Sequence, residues 1–192
     1  MPLYNQQSLF KIGLDSIPAR DDIEIIVIDD GSTDDSLNEA REYQLNTPKN
    51  LIILRNLENK GVAYTVNKGL DNATGEYIVL LGSDGDYFVD LDKGMYELDG
   101  TDLIYFPIRL NSGSMLDTKI GSTKFMRREF VGNLRNPLLK NSEDECFYNE
   151  LLKKNPTEKT IRCMYKQYNY PRKGSLTWQV EKHIVEKGER CY

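Results

Sequence analysis

Histidine is almost missing from this chain: His183 is the single example among 192 residues. That removes His-rich metal sites, which need more than one imidazole. Cysteine is scarce as well. Cys146, Cys163 and Cys191 are odd in number and share no C-x-x-C spacing. A zinc or disulfide framework is therefore not expected, and the cytoplasm is the natural compartment. No apolar run approaches the ~20 residues of a membrane span. Nor does a basic-then-apolar leader open the chain. Acidic side chains outnumber basic ones, 30 to 25, for a net charge of -5. That balance is a poor electrostatic footprint for nucleic acid, and none is expected as a partner.

What is present reads as alternating strands and helices. "IEIIVI" (Ile23 to Ile28), "LIIL" (Leu51 to Leu54) and "YIVLL" (Tyr77 to Leu81) are apolar on both faces, as strands inside a parallel sheet are. Between them, Ser36 to Tyr43 opens with Ser36-x-x-Glu39, a capping-box pattern. Val62, Val66 and Leu70 recur at helical spacing. This order predicts βαβ units. A first helix near Gln6 to Ile17 has only "MPLYN" before it, so the first strand looks cut short. Further on, Asp102 to Ile108, Lys119 to Phe130 and the run "TIRCMYKQYNY" read as strands. "SEDECFYNELLKK" reads as a helix with Phe147, Leu151 and Glu150 on one face, and Ser175 onward as a terminal helix. The expected organisation is one domain over 1–192: a nucleotide-type half to residue 88, then a second half that completes a cleft.

Two acidic loops leave the carboxyl ends of predicted strands, where open parallel sheets collect ligands. "IDDGSTDDS" carries Asp29 and Asp30. Turn chemistry accounts for Gly31 and a cap for the next helix, but not for two carboxylates at the strand's end. "GSDGDYF" carries Asp84 and Asp86. An EF-hand register fails, since Val89 and Met95 stand where its glycine and glutamate belong. A plain Asp-Gly turn explains the loop, and so does a D-x-D pair holding Mg²⁺ or Mn²⁺ with diphosphate oxygens. In "NSEDECFYNELL", acids suit a helix start, and Asp144 also suits a general base. In "YNYPRKGSLTW", Arg172, Lys173, Ser175 and Thr177 suit either a solvated turn or a diphosphate contact.

Taken in order, Pro2-Leu3-Tyr4-Asn5, "VIDDGSTDDS", the block Asn59 to Phe88, "SEDECFYNELL" and "YNYPRKGSLT" closely resemble family 2 glycosyltransferases of the GT-A fold, an α/β class with a mostly parallel central sheet flanked by helices. The resemblance implies inverting transfer of a sugar from a nucleoside diphosphate, a UDP-sugar first among them, to a hydroxyl. The acceptor would be a saccharide or lipid-linked sugar in surface polysaccharide or glycolipid synthesis. It implies that Pro2, Tyr4, Asn5, Asp29 and Asp30 line the nucleoside pocket, with Asp30 the stronger choice, flanked by Gly61 and Asn67. Asp84 and Asp86 would hold Mn²⁺ or Mg²⁺, Asp144 would take the acceptor's proton, and Arg172 would steady the diphosphate. Arg109, Lys124, Arg127, Arg128 and Arg135 would face the acceptor, with at most peripheral association at the inner face of a membrane.

The chain departs from the family at three places. The usual D-[SA]-D-D run is Gly82-Ser83-Asp84-Gly85-Asp86, Val66 stands where an arginine often precedes the matched asparagine, and the strand before Pro2 is short. A non-catalytic relative that binds a nucleotide sugar or a partner protein therefore stays open. A nucleotidyltransferase is less favoured, because no glycine-rich basic loop opens the chain.

Overall fold

The fold was derived as a computed structural model, which describes residues 1–139 and 142–169. In chain order the elements are β1 (Pro2–Leu3), α1 (Leu9–Asp15), β2 (Glu24–Asp30), α2 (Ser36–Asn46), β3 (Asn50–Asn56), α3 (Val62–Asn72), β4 (Tyr77–Val79) and β5 (Tyr87–Val89). Then come α4 (Leu91–Met95), β6 (Leu103–Tyr105), β7 (Ile108–Arg109), β8 (Met115–Leu116), β9 (Lys124–Arg127), α5 (Arg128–Val131), α6 (Glu143–Leu152), β10 (Glu158–Thr160) and β11 (Tyr165–Gln167). The predicted terminal helix, Arg172 and the residues around it lie outside the described residues.

The strands form three sheets. One is parallel, β1-β2-β3, with Pro2 opposite Ile28 and Glu24 opposite Asn50. The second runs β10-β6-β9-β4, and the third β5-β11-β7-β8; both mix parallel and antiparallel pairs. Side-chain alternation divides the interior into two cores. Val27, Ile104 and Phe125 point into one, together with Phe10 and Leu14 of α1. Leu103, Tyr105 and Met126 point into the other, against Leu70 of α3 and Phe147 and Leu151 of α6. Because both faces are covered, all three residues of β6 are buried. Phe106, between β6 and β7, meets Phe88 edge-on at 6.0 Å and Phe125 at 5.4 Å, locking the second sheet to the third.

Several expectations shift. β3 is an edge strand, so Ile52 is exposed while Leu51 is buried: one face of "LIIL" lacks a covering layer. The 119–130 run is a strand only over Lys124–Arg127, then turns into α5. Phe147 and Leu151 share the buried face of α6, but Glu150 is exposed. The capping box does not form either. Ser36 Oγ instead accepts the Gln6 N–H at 3.0 Å, and Glu39 Oε2 accepts that of Ser8 at 2.9 Å. Both side chains thus serve the loop ahead of α1. The "acceptor-side" basic residues are largely spoken for: Arg127 binds Asp102 at 2.6 Å, Arg135 binds Asp71 at 2.7 Å, and Lys124 is buried.

Phe106→Ala removes the ring shared by the two aromatic contacts and opens a cavity at the sheet junction. It should cost about 3–5 kcal/mol in a urea unfolding experiment.

Candidate active site

The parallel sheet delivers the first part of the site. Asp29 and Asp30 end β2, both buried. Asp30 is fully engaged: Oδ1 accepts the Lys60 N–H at 2.9 Å and the Asn56 amide at 2.8 Å, and Oδ2 accepts the Gly61 N–H at 2.9 Å. It thereby ties the end of β2 to the start of α3. Gly61 adopts φ +88, a region that favours glycine, and the space beside its Cα is open. Asp29 Oδ1 accepts the Ser32 N–H at 3.2 Å; its Oδ2 is buried without a hydrogen-bond partner, with Arg55 Nε 3.5 Å away.

The loop after β1 is stitched to the acidic loop after β2. Asn5, itself left-handed at φ 49, accepts the Thr33 N–H at 2.8 Å through Oδ1 and donates its own N–H to Ser32 Oγ at 3.1 Å. Gln7 N–H reaches Asp34 Oδ2 at 3.2 Å. Pro2 sits within the β1–β2 ladder and Tyr4 is exposed beside it. Gly31, at φ +73, lies so close to Glu58 that a Cβ would come within 2.6 Å of that backbone. Asn67 behaves differently from the rest. Its side chain clasps the Asn136 backbone, accepting N–H at 2.7 Å and donating to C=O at 2.9 Å. It holds a distant loop onto α3.

The acid pair follows β4. Asp86 is buried, with Oδ1 accepting the Asn169 N–H at 2.8 Å and Oδ2 3.2 Å from the ammonium of Lys166. Asp84 is half-buried, and its carbonyl accepts the Asn169 amide at 2.8 Å. Both carboxylates crowd over Gly82: a Cβ there would lie 2.9 Å from Asp84 Oδ1 and 3.3 Å from Asp86 Oδ2. Gly85 takes φ +95, and a Cβ on it would meet the Asn169 amide at 2.6 Å. Of the two glycines that break the family pattern, Gly85 is fixed by its backbone angle, whereas Gly82 is crowded only by carboxylate ends that can shift. A polar recess of about 310 Å³ opens alongside, lined by Gly85, Arg109, Asn111, Gln167 and Asn169 among others.

Two buried lysines link this loop to the third part. Lys166 also bonds Ser122 Oγ and lies over the Tyr168 ring. Lys124 donates to the carbonyls of Lys119 and Gly121 at 2.8 and 2.7 Å and lies 5.0 Å from the centre of the Tyr148 ring. Together they hold the 119–122 loop, and Asp144 Oδ2 lies 3.7 Å from where a Gly121 Cβ would stand. Asp144 is exposed in the first turn of α6, with Oδ1 accepting the Glu145 N–H at 2.9 Å. Burial pushes the Asp86 carboxyl up, opposed by the Lys166 charge; burial pushes Lys166 down, opposed by Asp86. Lys124 is pushed down to about 8 by burial, partly offset by the charge of Asp144. Lys124 reads from the sequence as an acceptor-facing base and Lys166 passes unnoticed, because lysine is almost never a fully buried residue.

Among the described residues no three His, Cys, Asp or Glu side chains gather as a metal cage. A divalent cation fits here only in the open Mg²⁺ manner, on one or two carboxylates with phosphate and water oxygens completing the shell. Asp84 and Asp86 are the carboxylates that would hold it, with Asp86 also meeting Asn169 and Lys166.

The parallel sheet with acids at its strand ends, backed by mixed sheets, defines an α/β protein in which ligands would collect at the carboxyl ends of the strands. Residues 1–161 match the model of glycosyl transferase family 2, and the chain belongs to that family. It is 31% identical over 119 residues to a PGL/p-HBAD biosynthesis glycosyltransferase of Mycobacterium bovis, covering 58% of this chain and 46% of that protein. To the glycosyltransferase GlyA of Streptococcus pneumoniae it is 35% identical over 103 residues, covering 50% of this chain and 14% of that one. The chain thus spans less than half the length of these curated relatives. In structure it resembles S. aureus TarS 1-349 in complex with UDP-GlcNAc, with TM-score 0.76 and 20% identity over 89% of this chain and 58% of that one. It also resembles the Pyrobaculum calidifontis mannosyltransferase PcManGT in complex with GDP-Man and Mn²⁺, with TM-score 0.72, 19% identity and coverage of 100% and 63%. These likenesses establish the GT-A type α/β fold.

Lys166→Met strands the buried Asp86 charge and should cost about 3–5 kcal/mol, read by chemical denaturation. Adding Asp86→Asn to it should recover at least half of that loss, since no uncompensated charge then remains. A double variant no more stable than the single one would contradict the pairing.

Proposed function

We propose that this protein is an inverting glycosyltransferase that moves a sugar from a nucleoside diphosphate, with UDP the first choice, to a hydroxyl of a saccharide or lipid-linked acceptor. Surface polysaccharide or glycolipid synthesis is the setting this reading favours, with the protein in the cytoplasm or at the inner face of the membrane. No described helix is long and apolar enough to cross a membrane. The observation that carries the reading is the crowding of Asp84 and Asp86 over Gly82, beside a polar recess and at a family-matched position. Solved relatives described as bound to UDP-GlcNAc, to UDP and to GDP-Man support a nucleotide-sugar donor.

In this reading, Pro2, Tyr4 and Asn5 form the nucleoside wall, with Asp30 and Asp29 as its carboxylates; Asp30 holds Lys60, Gly61 and Asn56 beside it, and Asp29 faces Arg55. Asn67 supports the wall from behind, and Arg172 remains a proposed diphosphate contact. Mn²⁺ or Mg²⁺ held by Asp84 and Asp86 would supply positive charge to the leaving diphosphate, where negative charge grows in the transition state. Asp144 removes the proton from the attacking hydroxyl as the new bond forms and the bond to the diphosphate breaks on the opposite face, which inverts the anomeric carbon. Lys124 and Lys166 keep the 119–122 loop in place between the acid pair and Asp144.

The test is calorimetry with UDP, with and without Mn²⁺. Binding should tighten with the metal in the wild type and lose that enhancement in Asp84→Ala. A folded chain that binds neither UDP nor GDP overturns the reading. With a working donor and acceptor, Asp144→Asn should lower turnover by about 10²–10⁴-fold while UDP binding stays unchanged. The second reading, a nucleotide-sugar binder without transferase activity, draws on the Gly85 departure from the family's acidic run. It predicts metal-dependent UDP binding with no donor hydrolysis.

A further inference from the structure

Arg109 stands apart from the other guanidinium groups near the site. Arg55, Arg127 and Arg135 each meet a carboxylate, at 3.5, 2.6 and 2.7 Å. Arg109 is exposed and meets none among the described residues; its Nη1 donates to the neutral Tyr165 hydroxyl at 3.4 Å. It lines the polar recess of about 310 Å³ beside the acid pair. We propose, building on the transferase reading, that this recess holds the acceptor saccharide and that Arg109 clasps an oxyanion which that acceptor carries, a carboxylate or a phosphate ester.

Strand register builds the site. Across the third sheet Tyr87 stands opposite Gln167, and Gln167 opposite Arg109. Residues paired in this way share one face of a sheet. The neighbouring row, Phe88, Lys166 and Ile108, is buried on the other face. The outer face is left with a phenol ring, an amide and a guanidinium side by side, and the turn after β7 adds Asn111.

The polarity of the recess is one-sided. Acids outnumber bases 30 to 25 in the chain, yet no Asp or Glu is among the described residues that line the recess. Its amides form a directed chain. Gln167 Nε2 donates to Asn111 Oδ1 at 3.4 Å, Asn111 Nδ2 to Asn169 Oδ1 at 3.2 Å, and Asn169 Nδ2 to the Asp84 carbonyl at 2.8 Å. The amide oxygens of Asn111 and Asn169 are thereby engaged, while each amide keeps a second N–H and Arg109 keeps most of its donors. Such a lining selects a ligand rich in acceptor atoms, and the planar guanidinium fork matches paired oxygens of a carboxylate or phosphate. The chain of amides also ties an occupant to the chemistry. It ends on the acid loop, where the Asn169 N–H meets Asp86 Oδ1 at 2.8 Å.

The test is an amide NMR titration of the full chain with glucuronate, glucose 6-phosphate and glucose. UDP and Mg²⁺ are kept saturating, so that the donor site is closed to the sugar phosphate. At least one charged sugar should shift the amides of Arg109, Leu110, Gln167 and Asn169, and glucose should not. Which one does so separates the carboxylate from the phosphate. Arg109→Met should weaken that binding about tenfold or more, as loss of a charge-assisted bond does. Arg109→Lys should recover only part of it, because the fork is gone. Both variants should melt like the wild type and bind UDP unchanged. Glucose binding as well as the charged sugars overturns the proposal. So does acetate or inorganic phosphate binding as tightly as the matching sugar, which would leave an adventitious ion only. Weakened UDP binding in Arg109→Met also overturns it, by assigning Arg109 to the donor. A chain that binds UDP but neither charged sugar loses this proposal and keeps the transferase reading. One that binds a charged sugar but neither UDP nor GDP loses both.

Discussion

The contact on which the active region depends is the ion pair of Lys166 with Asp86, both 2% exposed. Two charges removed from water are tolerated only where each finds its partner and further hydrogen bonds. Asn169 and Ser122 supply those bonds. The result joins three separated stretches of chain: the acid loop after β4, the strand β11 and the loop before β9. None of these is rigid by local propensity. The loop after β4 carries Gly82, Ser83 and Gly85, and the 119–122 loop has no regular structure. Electrostatics at low dielectric does for this region what apolar packing does for the rest.

A second tier of order comes from single carboxylates that each hold several backbone groups. Asp30 fixes the start of α3, and Asp102 fixes the segment before β10 through the Thr157 N–H and hydroxyl while pairing with Arg127. Glu24 Oε1 accepts the N–H groups of Thr74 and Gly75. An acidic chain can spend its surplus carboxylates in this way. Much of the charge that looks available for ligands in the sequence is therefore structural in the fold.

The sequence was most legible where period and punctuation agree. β2, β3 and α3 lie where the apolar runs and helical spacing put them, because their burial follows directly from local pattern. Legibility failed where a side chain's partner lies far along the chain. Ser36 and Glu39 spell a capping box, yet the N–H groups of Gln6 and Ser8 compete for them and win. Arg127 and Arg135 suggest an open basic surface, yet Asp102 and Asp71 neutralise them. Of the site, the carboxylates were readable from their positions at strand ends. The lysines and Asn169 that organise them were not, since long-range pairing leaves no periodic trace.

Gly82 and Gly85 set how much substitution this loop can absorb. A Cβ at position 82 would meet only the carboxylate ends of Asp84 and Asp86, which can swing aside, so a small side chain there is accommodated by rearranging the acid pair. Position 85 is stricter, since its φ of +95 strains any L side chain and a Cβ there would strike the Asn169 amide. The acid pair can therefore be re-aimed by substitution at position 82, whereas position 85 admits glycine alone without distortion of the backbone.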